Sequence, residues 1–172
     1  MKKIFLLLAV VAGMALTQSC EGDQGPKGDP GTNIEAEVFE LRNVDFVFDQ
    51  GEYKISQQLT PAILDSDVIL IYRLAGTINP TTPIWEPIPR TLYLGPTQEL
   101  ELDYDFDFSP VDFTIYAGGN YDLSTTPNYL NDQTFRIVIV PGYFSNKVNT
   151  KNFEEVTAAL KLTDEDFTKS KK

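Results

Sequence analysis

Residues 99–108 read Glu-Leu-Glu-Leu-Asp-Tyr-Asp-Phe-Asp-Phe, an unbroken alternation of acidic and apolar side chains. In an extended chain, successive side chains point to opposite faces. Glu99, Glu101, Asp103, Asp105 and Asp107 then share one face, and Leu100, Leu102, Tyr104, Phe106 and Phe108 share the other. A helix would scatter both sets and bring like charges together at i,i+4. The stretch predicts a β-strand with an aromatic face on a core and a carboxylate face in water. The rest of the chain must then supply cover for that apolar face.

The flanking patterns supply it with further strands. Ile34, Ala36 and Val38 alternate with acids, and Val44, Phe46 and Phe48 follow in shifted phase. This predicts one long strand with a bulge near residues 40–43. Asp49-Gln50-Gly51 is a turn signal leading into a strand over 52–59. Residues 68–72 and 134–140 are apolar on both faces, as in strands covered on two sides. Pro80, Pro83, Pro87 and Pro89 make 76–89 a loop or an edge, with Trp85 inside it. Shorter strands are expected over 91–94 and 111–117, the second with Val111, Phe113 and Ile115 on one face. Gly118-Gly119-Asn120 then turns away into a loop over 121–132.

No βαβ alternation interrupts this series. The expected fold is mainly β, an antiparallel β-sandwich of immunoglobulin-like or jelly-roll type. Phe153, Val156, Ala159 and Leu160 recur at helical spacing, which adds one short C-terminal helix at an end or edge. The domain is expected over residues 34–162, followed by a charged, frayed tail over 163–172.

The amino terminus has a different character. Lys2 and Lys3 precede an apolar run of 13 residues, 4–16, which is short for a bilayer-spanning helix and fits the core of a signal peptide over residues 1–19. Thr17-Gln18-Ser19-Cys20 follows. A small residue before a cysteine at this place resembles the lipobox of bacterial lipoproteins, in the looser form found in the Bacteroidota, with Leu16 one position early. The resemblance implies cleavage after Ser19 and acylation of Cys20, the chain's one cysteine. Each buried methylene of an acyl chain contributes about 0.8 kcal/mol, so more than one chain anchors a protein stably. It further implies an outer-membrane location; Glu21 and Asp23 resemble a surface-export signal.

Glycine recurs at 22, 25, 28 and 31, the period that a collagen triple helix requires. Three triplets bury too little to hold a trimer, so residues 20–33 read as an extended polar tether, on the order of 30 Å long over 22–31. Signal peptide, lipobox-like cysteine, Gly-x-y segment and β-rich domain together resemble collagen-like Bacteroidota lipoproteins of undefined activity.

Composition bounds the chemistry. Without residues 1–19 the chain carries 12 basic and 25 acidic side chains. That excess argues against nucleic-acid partners and against electrostatic adhesion to anionic lipid. There is no histidine, so Ser-His and Cys-His pairs and the usual zinc ligand are excluded. With no nucleophile motif, P-loop or dinucleotide fingerprint, the chain reads as non-enzymatic and without a cofactor. Among the acids, Asp103, Asp105 and Asp107 are the candidate calcium ligands, against the simpler reading of a solvated face that blocks edge pairing. Trp85 and Tyr121 are candidate ligand contacts, through ring stacking on a glycan, with Tyr129 and Tyr143 on neighbouring loops. The functions expected are binding or structural contact with an envelope protein, carbohydrate binding, or service as an accessory subunit of an outer-membrane complex.

Overall fold

A computed structural model of the protein describes residues 36–145 and 148–168. Ser19, Cys20 and the Gly-x-y segment lie outside them. The described residues form two antiparallel sheets packed as a β-sandwich. In chain order the strands are β1 (Glu37–Val44), β2 (Val47–Asp49), β3 (Glu52–Gln58), β4 (Val68–Asn79), β5 (Thr82–Pro87), β6 (Arg90–Leu94), β7 (Leu100–Phe108), β8 (Asp112–Gly119) and β9 (Gln133–Val140). One sheet has the order β1-β9-β4-β5, the other β2-β3-β8-β7-β6. Three helices follow β9: α1 (Gly142–Ser145), α2 (Phe153–Leu160) and α3 (Asp164–Thr168).

The acid–apolar strand is β7, and its apolar face meets the core where alternation placed it. Leu102 is fully buried and Tyr104 is 1% exposed, while Phe108 at the strand end lies open. The acidic face points away from the opposing sheet. β7 lies between β8 and β6, however, so its carboxylates do not guard an edge. Opposite it, Ile69, Ile71, Phe135, Ile137 and Phe39 complete the same core from the four-stranded sheet.

Strands β4 and β9 are covered on both faces, as their composition predicts. Their outer faces carry Tyr72, Val138 and Val140, which pack under Val156, Leu160 and Phe167 of the helices. The C-terminal helix therefore lies across a sheet face, not at an end or edge. Its first turn is fixed by Asn152, whose side chain accepts from the Glu155 backbone N–H at 3.1 Å. Lys161, left-handed at φ 56°, ends it. Ala159, read as part of the packed face, is exposed.

The structure departs from expectation in three further places. Residues 34–48 do not form one strand: the register of β1 slips between Leu41 and Val44, and the chain then leaves that sheet for β2 in the other. Buried Phe46 makes the crossing, its N–H donating to the Leu130 carbonyl at 2.9 Å. Residues 76–89 take the edge alternative of the two expected for them, as the tip of β4 and edge strand β5. Pro83 and Pro87 fit there because β5 pairs on one side only. Val111 precedes β8 and is 52% exposed, and β8 continues through Gly119. A Cβ on Gly119 would strike the Glu101 carbonyl, which is why glycine ends the strand. Finally, 163–172 is not all frayed tail: α3 forms there, capped by Asp166 accepting from the Thr163 N–H at 2.9 Å, and buries Phe167.

Two buried phenols tie this core to pH. The Tyr104 hydroxyl donates to the Tyr129 carbonyl at 2.7 Å, and burial pushes its pKa up to about 12 against the opposing pull of Arg73. Burial raises that of Tyr72 further still. A phenol with a raised folded-state pKa keeps its proton in the native state and loses it more readily when unfolded. Its stabilisation is complete below the ordinary tyrosine value of about 10 and disappears as pH climbs through the folded value. Scanning calorimetry across a pH series should show a steady melting temperature up to about pH 10 and a decline above it. Tyr104→Phe and Tyr72→Phe should each flatten that decline; an equally steep fall in both variants would remove the phenols as its cause.

Candidate functional site

The outer face of the four-stranded sheet holds a buried polar arrangement centred on Arg136. Cross-strand register aligns Glu40 of β1, Arg136 of β9, Tyr72 of β4 and Pro87 of β5 in one row. Arg136 is 5% exposed. Its Nε donates to Glu40 Oε1 at 2.9 Å, and its terminal nitrogen meets Asp164 of α3 at 2.7 Å. The guanidinium carbon lies 4.2 Å from the centre of the Trp85 ring and 4.4 Å from that of Phe167. Such contacts contribute about 2 kcal/mol each when shielded from water. Glu40 also accepts from Arg42.

Trp85 is therefore not on a loop. It sits on edge strand β5, partly buried, against Arg136 and Phe153, and its indole Nε1 is buried with no hydrogen-bond partner among the described residues. It lines a surface groove of about 780 Å3 between the β4–β5 hairpin and the start of α2. Ile84 and Pro83 give the groove an apolar wall, and Asn149, Lys151 and Asn152 give it a polar one. This mixture of apolar surface with a few polar groups is typical of small-ligand sites.

The other candidates are dispersed. Tyr121 packs against the main core with its hydroxyl 2.7 Å from that of Thr126, and it lines a separate cleft of about 380 Å3 with Phe48, Tyr53 and Tyr116. Tyr129 lies near Arg73, and Tyr143 on α1 is exposed. Asp103, Asp105 and Asp107 do not converge. Asp103 accepts from the Thr91 hydroxyl at 2.6 Å, Asp105 from the Phe106 N–H at 2.8 Å, and Asp107 from the Tyr116 hydroxyl at 3.0 Å. Among the described residues no group of three acidic, histidine or cysteine side chains could hold a metal ion. Two-residue spacing along a strand keeps such carboxylates about 6.8 Å apart, and each has turned to a different neighbour.

The two buried arginines, Arg73 and Arg136, were missed as site residues. The signal for both was available: each interrupts a run that is apolar on both faces. A cation at such a position must be buried, and a buried cation needs partners.

The described residues define the class as an antiparallel β-sandwich of nine strands with helices over one sheet. No family model, curated protein or solved structure matches the chain.

The Arg136 arrangement sets a stability prediction. Arg136→Met leaves Glu40, whose side chain is 6% exposed, without its buried partner. Urea denaturation should show a loss of about 3 kcal/mol. Adding Glu40→Gln should restore part of it, because the buried charge, then held by exposed Arg42 alone, is gone. Asp164→Asn, at a side chain 77% exposed, should cost under about 1 kcal/mol. A double variant no more stable than Arg136→Met alone would contradict this account.

Proposed function

We propose that the chain is a lipid-anchored, non-enzymatic protein of the outer membrane whose β-sandwich serves binding or structural contact. The observation that carries the reading is Cys20. It is the chain's one cysteine, and it stands at the junction between the apolar run and the Gly-x-y segment. Acylation there sets the location, the tether holds the domain off the lipid, and the sandwich presents its surface to whatever lies beyond. The acidic excess suits a domain that must remain soluble next to anionic membrane surfaces.

A second reading, carbohydrate binding, is favoured by the Trp85 groove. Indole and aliphatic surface lie beside amide and ammonium groups there, the two kinds of contact that a sugar ring uses. Trp85→Ala is a poor probe of it, since the ring also supports Arg136. Asn149→Ala and Lys151→Ala leave that packing alone. Glycan-array binding lost in both would favour this reading, and unchanged binding would count against the groove.

The anchor is tested by metabolic labelling with an alkyne fatty acid. Wild-type protein should take up the label and partition with membranes, and Cys20→Ala should do neither. Label retained in Cys20→Ala, or wild-type protein recovered unacylated from the medium, would end the lipoprotein reading.

A further inference from the structure

The second buried arginine differs from the first in one respect that matters. Arg73 follows Ile69 and Ile71 on the inner face of β4 and is 7% exposed. Its Nε donates to Gln133 Oε1 at 2.9 Å. Gln133 is itself buried, and its amide is spent on the carbonyls of Asn128 and Asn131 at 3.0 and 2.6 Å, so its oxygen is held towards the arginine. The guanidinium carbon lies 4.6 Å from the centre of the Tyr104 ring and 5.9 Å from that of Tyr129. All of these groups are neutral. Arg136, equally buried, has two carboxylates; among the described residues, no carboxylate comes within ion-pair distance of Arg73. Glu86 lies directly across from it on β5 but turns instead to Arg90, at 3.1 Å.

Arg73 also opens onto a cleft. A space of about 460 Å3 is lined by Arg73, Glu86, Arg90, Thr91, Tyr93 and Gln98, among others. That volume falls in the range of small-molecule sites, roughly 300–1,000 Å3. It shares no lining residue with the Trp85 groove. Its lining carries two guanidiniums and one carboxylate, with Asp103 held by the Thr91 hydroxyl at 2.6 Å, in a chain whose net charge is −11. A planar guanidinium fork matches the two oxygens of a carboxylate or phosphate, and a buried cation without a counter-ion is costly to keep.

We propose that this cleft binds a compact oxyanion, a carboxylate or phosphate group on a small polar molecule, with Arg73 at its base and Arg90 at its rim. Tyr93, 58% exposed beside Arg90, offers a ring for the rest of the ligand. The acidity of the surrounding chain selects against extended polyanions and favours a small solute. The proposal is independent of lipid attachment and of the Trp85 groove.

Isothermal calorimetry on the full chain in detergent tests it, with sodium glucuronate and inorganic phosphate as probes and methyl glucoside and sodium chloride as controls. Saturable binding of glucuronate or phosphate, with neither control binding, is the expected result. Glucuronate alone identifies a carboxylate ligand, and phosphate alone a phosphoryl ligand. Arg73→Met should weaken binding by about tenfold or more, and Lys54→Met on β3, separated from β6 by β8 and β7, should leave it unchanged. Should Arg73→Met fail to fold, Arg90→Gln at the exposed rim should weaken binding about threefold. No saturable binding of either anion, or affinity unaltered in the folded arginine variants, would overturn the assignment.

Discussion

A guanidinium that is cut off from water must find its compensation within the protein, and Arg136 finds it in four directions. Glu40 reaches it from β1, Asp164 from α3, Trp85 from β5 and Phe167 from α3 again. Glu40 and Trp85 belong to the two edge strands of the sheet, and Asp164 and Phe167 to a short helix packed on it. The helices are short, α2 with eight residues and α3 with five, and helices of that length are marginal by themselves. Their order comes from the apolar row of Tyr72, Val138 and Val140 below and from this one charge at its margin. Apolar contact supplies most of the driving force, but it is indifferent to orientation. The fork of Arg136 supplies direction, because its nitrogens can meet both carboxylates in few arrangements.

The two sheets consequently have different lives. In the four-stranded sheet the central strands β4 and β9 are buried on both sides, between the sandwich core and the helices. The five-stranded sheet faces the core with one side only and turns Asp103, Asp105, Asp107, Tyr116, Ser56 and Lys54 outward, linked by hydroxyl and carboxylate contacts across the strands. These links order the surface without gathering the acids: Asp103, Asp105 and Asp107 each hold a different neighbour.

The difference also explains what could be read in the chain. Strand β7 is legible because it is half-buried, and half-burial writes a period of two into the sequence. Strands β4 and β9 are legible as runs apolar on both faces. Periodicity, however, reports which face a side chain takes and not which sheet its strand joins. Phe46 and Phe48 therefore looked like a continuation of β1, although the chain changes sheets at Phe46. Proline removes a donor from one side of a strand only, and so Pro83 and Pro87 mark an edge as readily as a loop. The residues of α3 are mostly charged, and the single Phe167 gave too little pattern to reveal a docked helix. Arg73 and Arg136 stood in plain view, but their partners come from distant segments, which no local reading brings together.

The strand order has a consequence for how this domain is made. The last strand, β9, lies between β1 and β4, and both of them pair with it along nearly its whole length. Until β9 arrives, β1 has no neighbour in its sheet, and the inner faces of β1 and β4 have no common surface to close. Strands β4 and β5 can pair as a local hairpin, but the four-stranded sheet closes only when β9 joins β1 to β4, through contacts far apart in sequence. A chain delivered slowly from its amino end, whatever the route, must be kept from sticking to its neighbours until roughly its final quarter has emerged.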